Sequence, residues 1–274
     1  SGLLLRLLPV IFLIIIVLGV PIGFSMGFLT IVCFEAGNGP LITLAQKMYS
    51  GVNNFTYLCI PLFILAGEIM SRCGLTMSIV RFCDTLVGHI RGGLAHVNIL
   101  ASMLFAGMSG SAIADTAGLG KIEMDAMDDA GYEKEFSVAI TASSSTIGPI
   151  IPPSNTMIVY AVAAEVSVAR LFMGGFIPGI LMGAVLCVYI WFYAHRHNLP
   201  AQPKASWRER GHATIQAFFP ILTPVILIVG ICTGVCTATE AGALAVIYAT
   251  LLNCVYNRGF KLAEMHTCFY NAFV

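Results

Sequence analysis

The middle of the apolar stretch 136–165, which is long enough to cross a bilayer, reads Gly148-Pro149-Ile150-Ile151-Pro152-Pro153. Proline has no amide hydrogen, and inside a helix its ring clashes with the preceding turn at about 3 kcal/mol or more. Three prolines in five residues exclude a continuous helix. The chain is predicted to run as one half-helix ending near Gly148 and a second starting after Pro153, with Ser154 or Asn155 as its N-cap. The carbonyls of Ser145, Thr146 and Ile147 are expected to be left free at the first break. In hydrocarbon each unpartnered backbone group costs several kcal/mol, so such a segment persists only where protein, water or a ligand satisfies it.

That the surroundings are a membrane follows from composition. Of 274 residues, 58% are hydrophobic and 10% charged, whereas soluble domains carry about 25% charged residues. Fourteen basic and fourteen acidic side chains cannot clothe a globule of this size. This excludes a soluble enzyme, a nucleic-acid binder and a disordered tail, and the zero net charge gives no case for a polyanionic partner. The nine cysteines lie in or beside apolar segments, except Cys73 at a Gly-flanked turn, and contain no CxxC pair. They read as small buried hydrophobes rather than disulfides or zinc ligands. The first apolar run, Leu3 to Phe34, is too long for a signal peptide core. The chain opens Ser-Gly without an initiator Met, so the natural N-terminus is expected to lie further upstream.

A long helix is predicted over 3–34, bent at Gly19, Pro21 and Gly23, then a polar connection at 35–52 and a span at 53–72. Residues 75–91 read as a tilted or interfacial helix in which Arg81 and Asp84 pair. The apolar pieces 93–108 and 112–127, each short for a crossing and split by Met108-Ser109-Gly110-Ser111, read as a re-entrant hairpin. The charged loop 121–135 is expected in water. Spans follow at 168–194, 213–234 and 237–257, with a polar, basic linker at 198–212 and an amphipathic end at 258–274. With the N-terminus outside, ten Lys or Arg residues, Arg258 and Lys261 among them, fall inside against Arg6, Arg72 and Arg170 outside. The order of segments restarts at 213 on the opposite face, which is the pattern of inverted repeats in transporters.

The two broken elements carry the chemistry. A half-helix end bears about half an elementary charge, negative at its carbonyls and positive at its amides. Carbonyls attract a cation and amides an anion such as a carboxylate. The hairpin tip repeats this logic with two hydroxyls, a glycine and free carbonyls at Ser109-Gly110-Ser111. Taken singly, a proline pair is also what a plain kink looks like, and a small-residue tip what close helix packing looks like. Two such breaks about 40 residues apart, flanking a charged loop, point to an oxygen cage for Na+ beside a carboxylate site. Asp115, one helical turn past Ser111 and facing the same way, is expected either to orient the tip or ion shell or to serve as a structural carboxylate of the first turn.

The motifs GMSGSAIADTAGLG (107–120) and SSSTIGPIIPPSN (143–155) resemble the large membrane subunit (M subunit, DctM-like) of TRAP, tripartite ATP-independent periplasmic, transporters. GVPIGFSMG (19–27), IPLFILAGEIM (60–70) and GVCTATEAGALAVIYA (234–249) match in the same order. The resemblance implies an all-α, multi-pass protein of the bacterial inner membrane, an elevator-type transporter with inverted repeats, a re-entrant hairpin and a Pro-broken transmembrane helix. It implies a Na+-coupled secondary importer of organic acids such as C4-dicarboxylates or sialic acids. Its expected partners are a small four-helix membrane subunit (Q subunit) and a periplasmic substrate-binding protein (P subunit). Residue by residue it places Na+ at Ser109 and the carbonyls of Gly148, Ile151 and Pro153. It puts Ser111, Ser154, Asn155 and Thr156 on the substrate side, with Gly110, Asp115, Ser145, Pro149 and Pro152 in support. The chain then divides into first-repeat scaffold and arm (1–92) and a transport part (93–167) with hairpin 93–130 and broken helix 134–166. A connecting span and linker (168–212) and the start of the second scaffold (213–274) complete it. Two departures stand out. Ala238 replaces the proline of the family's Thr-Pro-Thr-Glu, so the turn is expected to be less sharply set. The second hairpin and second broken helix are absent, so the chain is expected to be the N-terminal half to two-thirds of the subunit.

Competing readings are a related elevator family (divalent anion/Na+ symporter-like), a channel and an intramembrane serine protease. The last rests on Gly107-x-Ser109-Gly110, but a serine nucleophile needs a base within hydrogen-bond reach. His96, the only nearby histidine, stands 13 residues back on the same arm, roughly 20 Å at about 1.5 Å per residue. No enzyme is expected. Glu68 and Glu240 near span ends are expected to pair or cap rather than bind ions.

Overall fold

A computed structural model describes residues 2–37, 39–72, 74–256 and 262–273. Cys73, Arg258 and Lys261 lie outside the described residues. The described chain is helical throughout, without strands. It resolves into two compact units, 1–54 and 55–274.

In the first unit, α1 (Gly2–Val17) and α2 (Ile22–Ala36) are separated at Gly19, whose φ of +87° suits glycine, and at Pro21. The expected polar connection at 35–52 is instead largely helix, α3 (Leu41–Val52). Its apolar residues Ile42, Ala45, Met48, Tyr49 and Val52 recur at helical spacing, and the interleaved polar residues disguise a period of 3.6.

The second unit opens with a short 3₁₀ turn, Phe55–Leu58, and α4 (Cys59–Arg72). There follow α5 (Leu75–Val87), α6 (Gly93–Ser109), α7 (Ala112–Asp115), a π turn over Thr116–Gly120 and α8 (Lys121–Asp129). Beyond Gly131, which takes φ +86°, run α9 (Lys134–Ser145) and α10 (Asn155–Ala163). The unit is completed by α11 (Val168–Arg196), α12 (Trp207–Cys232), α13 (Ala238–Tyr256) and α14 (Leu262–Phe273). Among the described residues, four helical stretches are long and apolar enough to cross a membrane: Phe55–Arg72, Val168–Arg196, Trp207–Cys232 and Ala238–Val255. Large apolar side chains such as Ile177, Leu181 and Phe192 stand exposed on them. This is a helical membrane protein whose outward faces match hydrocarbon rather than water.

Two helices begin where hydrogen-bond chemistry dictates. At α12 the Ser206 amide donates to Glu209 Oε2 (2.7 Å) while the Glu209 amide donates to Ser206 Oγ (3.2 Å). This capping box starts the helix inside the expected linker 198–212. Thr237 and Glu240 form the same reciprocal pair, amide to Oε2 at 2.7 Å and amide to Oγ1 at 3.3 Å. The turn before α13 is thus set without the missing proline, and Ala238 does not loosen it.

Small residues allow close packing. Ala241, Ala245 and Ala249 of α13 are fully or nearly buried against α4, where Phe63, Ala66, Ile69 and Met70 form the centre of the core. On α11, Gly175, Gly179 and Gly183 form a stripe one helical turn apart. Added Cβ atoms there would collide with Met157 and the Ile150 carbonyl, with Ile151, and with Met103. This stripe seats the break against α11. Gly179→Leu is expected to lower the thermal unfolding free energy in detergent by about 1–3 kcal/mol, the usual cost of overpacking; an unchanged melting curve would contradict the packing.

Candidate functional site

The helix break falls between α9 and α10, from Thr146 to Ser154. The first half-helix stops at Ser145, three residues before Gly148, and tightens into turns. Gly148 N donates to Ser145 O (3.1 Å), and the amides of Ile150 and Ile151 both donate to Ile147 O (2.9 and 3.0 Å). Two of the carbonyls expected to be free, Ser145 and Ile147, are therefore satisfied by the local turn. Among the described residues, no amide donates to the carbonyls of Gly148, Ile151 or Pro153. The second half-helix starts as expected from Ser154, whose Oγ accepts from Met157 N (3.3 Å).

The hairpin tip fits into this break. Gly110 ends α6 in the left-handed region (φ +58°), and its amide donates to Ala106 O (2.9 Å). A Cβ at Gly110 would stand 2.5 Å from Pro153 O, and one at Gly148 would stand 3.3 Å from the Ser111 carbonyl carbon. Asn155 N donates to Gly110 O and Asn155 Nδ2 to Ser109 O, both at 3.4 Å. Ser109–Ala112 thus abuts both ends of the break. Ser111 caps α7, its Oγ accepting from Ala114 N (3.4 Å), so the amide ends of α7 and α10 meet at one place.

On the open side of the tip lies a cavity of about 490 Å³ lined by Ser109, Ser111, Ala114 and Asn155 from this assembly and by Gly67, Glu68 and Ser71 from α4. Ser109 Oγ and Asn155 Oδ1 are buried and have no partner. Gly67 brings α4 close, since a Cβ there would lie 3.3 Å from Met108 O. Ser154 turns inward instead: its hydroxyl donates to Pro149 O (2.6 Å) and accepts from Thr156 Oγ1 (2.9 Å), which lies 3.3 Å from the same carbonyl, bracing the break from behind.

Behind the tip runs a buried polar ladder that the sequence reading missed. Asn98 Nδ2 donates to Thr141 Oγ1 (2.9 Å), and Ser144 Oγ to Asn98 Oδ1 (2.6 Å). Ser102 Oγ donates to Asp115 Oδ2 (2.9 Å). Asp115 is 1% exposed, tying the second arm to α6 rather than facing the tip. The signal was present as polar stripes at helical spacing, Asn98, Ser102 and Ser109 on α6 and Ser137, Thr141, Ser144 and Ser145 on α9.

Other expectations resolve as follows. Glu68 pairs with Arg72 (3.3 Å) and Glu240 caps α13, both structural uses. Arg81 and Asp84 form no ion pair among the described residues; Asp84 instead faces the Gln202 amide, whose nitrogen, turned to donate, lies 3.0 and 3.3 Å from its oxygens. The stretch 121–135 is not a loop throughout, for α8 occupies 121–129 and buries Glu123 and Met127, while Lys121, Asp125, Asp129, Glu133, Lys134 and Glu135 stand exposed. His96 sits at the opposite end of α6 from Ser109, its Nδ1 3.0 Å from Gly92 O, so it cannot serve Ser109 as a base. Among the described residues no three His, Cys, Asp or Glu side chains gather as a metal site. The oxygens on offer are hydroxyls and carbonyls, which suit a hard cation.

Residues 9–273 match the family described as tripartite ATP-independent periplasmic transporter, DctM component. The chain is 44% identical over 241 residues to a sialic acid TRAP transporter large permease protein of Vibrio cholerae, covering 87% of this chain and 56% of that protein. It is 39% identical over 243 residues to a C4-dicarboxylate TRAP transporter large permease protein of the same species, covering 88% and 54%. A 2,3-diketo-L-gulonate TRAP transporter large permease protein of Escherichia coli is 38% identical over 252 residues, covering 90% and 59%. The chain spans a little over half the length of these relatives.

The contact between tip and break is testable with two glycines. Gly131→Ala, where nothing lies within 4 Å of the added Cβ, is expected to cost about 1–2 kcal/mol for its left-handed backbone alone. Gly110→Ala adds the collision with Pro153 O and is expected to cost about 1–3 kcal/mol more. Equal melting shifts would show that the tip does not bear on the break.

Proposed function

Because the chain belongs to the DctM-component family of tripartite ATP-independent periplasmic transporters, we propose that it serves as the membrane subunit of a Na+-coupled secondary importer of organic acids in the bacterial inner membrane. The permeases it resembles are named for sialic acid, C4-dicarboxylate and 2,3-diketo-L-gulonate, all carboxylates. A periplasmic binding protein would deliver the acid, and a small four-helix membrane subunit would complete the permease. Membership of a transporter permease family supports a transporter over the serine protease alternative.

The observation that carries this reading is the seating of Ser109–Ala112 in the break, with Ser109 Oγ and the carbonyls of Gly148, Ile151 and Pro153 left without donors. These oxygens would replace the hydration shell of Na+. The converging amide ends of α7 and α10, with Ser111 and Asn155 on the cavity wall, would receive a carboxylate. Ser154 and Thr156 would act one step back, through Pro149. Ion and acid sharing one cage gives the coupling, since each neutralises the other's charge in a low dielectric.

The hairpin, α9 and α10 are locked together by the polar ladder and the tip contact, which favours their moving as one body, dipping from the cytoplasmic side, in an elevator cycle. The close packing of α4 on α13, which stand in corresponding places of the two expected repeats, agrees with an inverted-repeat scaffold.

The test is uptake by the full-length parent reconstituted with both partners. Replacing Na+ by choline is expected to abolish accumulation. Ser109→Ala is expected to raise the Na+ concentration for half-maximal uptake about tenfold, the equivalent of about 1.4 kcal/mol. Uptake indifferent to Na+ would defeat the proposal.

A further inference from the structure

Glu123 is an acid that the transport reading leaves unused. It lies on α8, the far part of the second hairpin arm, 5% exposed, and neither carboxylate oxygen meets a donor or solvent. Titratable and charged neighbours on each surrounding element leave it uncompensated. On α5, Cys83 is a buried thiol within electrostatic reach, Asp84 is itself acidic and faces Gln202, and Arg81 stands across a cavity without an ion pair to it. On α6, the ring of His96 lies against Gly92 O. On the same arm, Asp115 has the same sign and is held by Ser102. The face of α9 turned inward offers neutral Ser137 and Thr141. A lone carboxylate without donors is costly to bury, and the neutral acid avoids that cost.

Beside the sealed carboxyl lies a cavity of about 220 Å³, walled by Val80, Arg81 and Asp84 of α5, Val97 of α6, and Ile122 of α8. It has room for several waters at about 30 Å³ each. Resting on the transport reading, we infer that Glu123 is a proton-binding site, loaded while α5 and α8 face each other as here and exchanging with cavity water when they part. On loading, a carboxylate oxygen gains an O–H bond from hydronium and leaves water; discharge is the reverse. The ligand is a proton, separate from the cage at the hairpin tip. Because the apposed arrangement holds the proton more tightly than a hydrated one, it is favoured at low pH and lost as pH rises through the range where the packed Glu123 ionises. The inward-facing and outward-facing states of the permease would then differ in bound protons, making transport pH-linked at constant Na+.

Two measurements decide it. In detergent at neutral pH, the infrared spectrum of the protein minus that of Glu123→Gln is expected to show the carbonyl stretch of a protonated carboxylic acid, shifted in heavy water and bleached as pH is raised. No such band means an ionised Glu123 and overturns the inference. Should the glutamine variant fail to fold, Glu123→Asp is expected to move the pH at which the band bleaches, and an unmoved midpoint is equally fatal. In the reconstituted full-length parent at saturating Na+, uptake normalised to its own maximum is expected to vary with pH, and Glu123→Gln to flatten that profile. An unchanged profile overturns the inference. Failure of the wild type to need Na+ would instead strike the transport reading, while the infrared result still decides Glu123.

Discussion

Backbone oxygens that a helix would have closed on itself are what the second unit is arranged around. Pro149, Pro152 and Pro153 withhold three amides, so carbonyls in and before that segment lose the donors a helix would have given them. The structure answers in layers. Turns satisfy Ser145 and Ile147, the hydroxyl of Ser154 takes up Pro149 with Thr156 beside it, and the tip at Gly110 lies against Pro153 without donating to it. Among the described residues, the carbonyls of Gly148, Ile151 and Pro153 remain without an amide donor. That remainder is small enough to tolerate in a membrane, and in the proposed function it is what Na+ would meet.

Holding such a break in place requires its surroundings to be stiff. The glycine stripe of α11 lets Ile150 and Ile151 lie directly against helix backbone, where any larger residue would push the break away. The ladder from Asn98 through Ser144 and Thr141 joins α6 to α9 by hydrogen bonds that have no water to compete with, and it specifies one register between two otherwise apolar helices. Asp115 adds the second arm to the same ladder through Ser102. Tip, arm and break therefore hang from one polar spine.

Some of this was legible in the sequence and some was not, for physical reasons. The break was legible because proline forbids helix irrespective of context, and the tip because Ser-Gly-Ser between apolar arms has few other uses. The hidden parts depend on tertiary partners. Ser145 and Ile147 were expected to have free carbonyls because a helix end was imagined as a clean stop, whereas the chain tightened into turns. Glu123 read as part of a hydrated loop because α8 is rich in acids, yet only one face of that helix is wet. The start of α12 was readable in Ser206-x-x-Glu209, a local signal overlooked beside the basic linker. Asn98 and Thr141 were unreadable singly, since a polar residue in an apolar helix finds meaning only when the helix it faces carries another.

The two faces of α4 show how one helix can serve both a fixed frame and a changing contact. Toward α13 it meets an alanine stripe, a dry interface with Cys59, Phe63 and Ala66 buried and Gly242 pressed to Leu62. Such packing resists sliding, because every side chain would have to leave a fitted hole. Toward the hairpin it offers Gly67, Glu68 and Ser71 beside a cavity, with the two backbones approaching closely at Gly67. Glu68 is neutralised within its own helix by Arg72 rather than across the gap. In the proposed elevator cycle, the cavity beside the tip would be where the polar spine parts from α4.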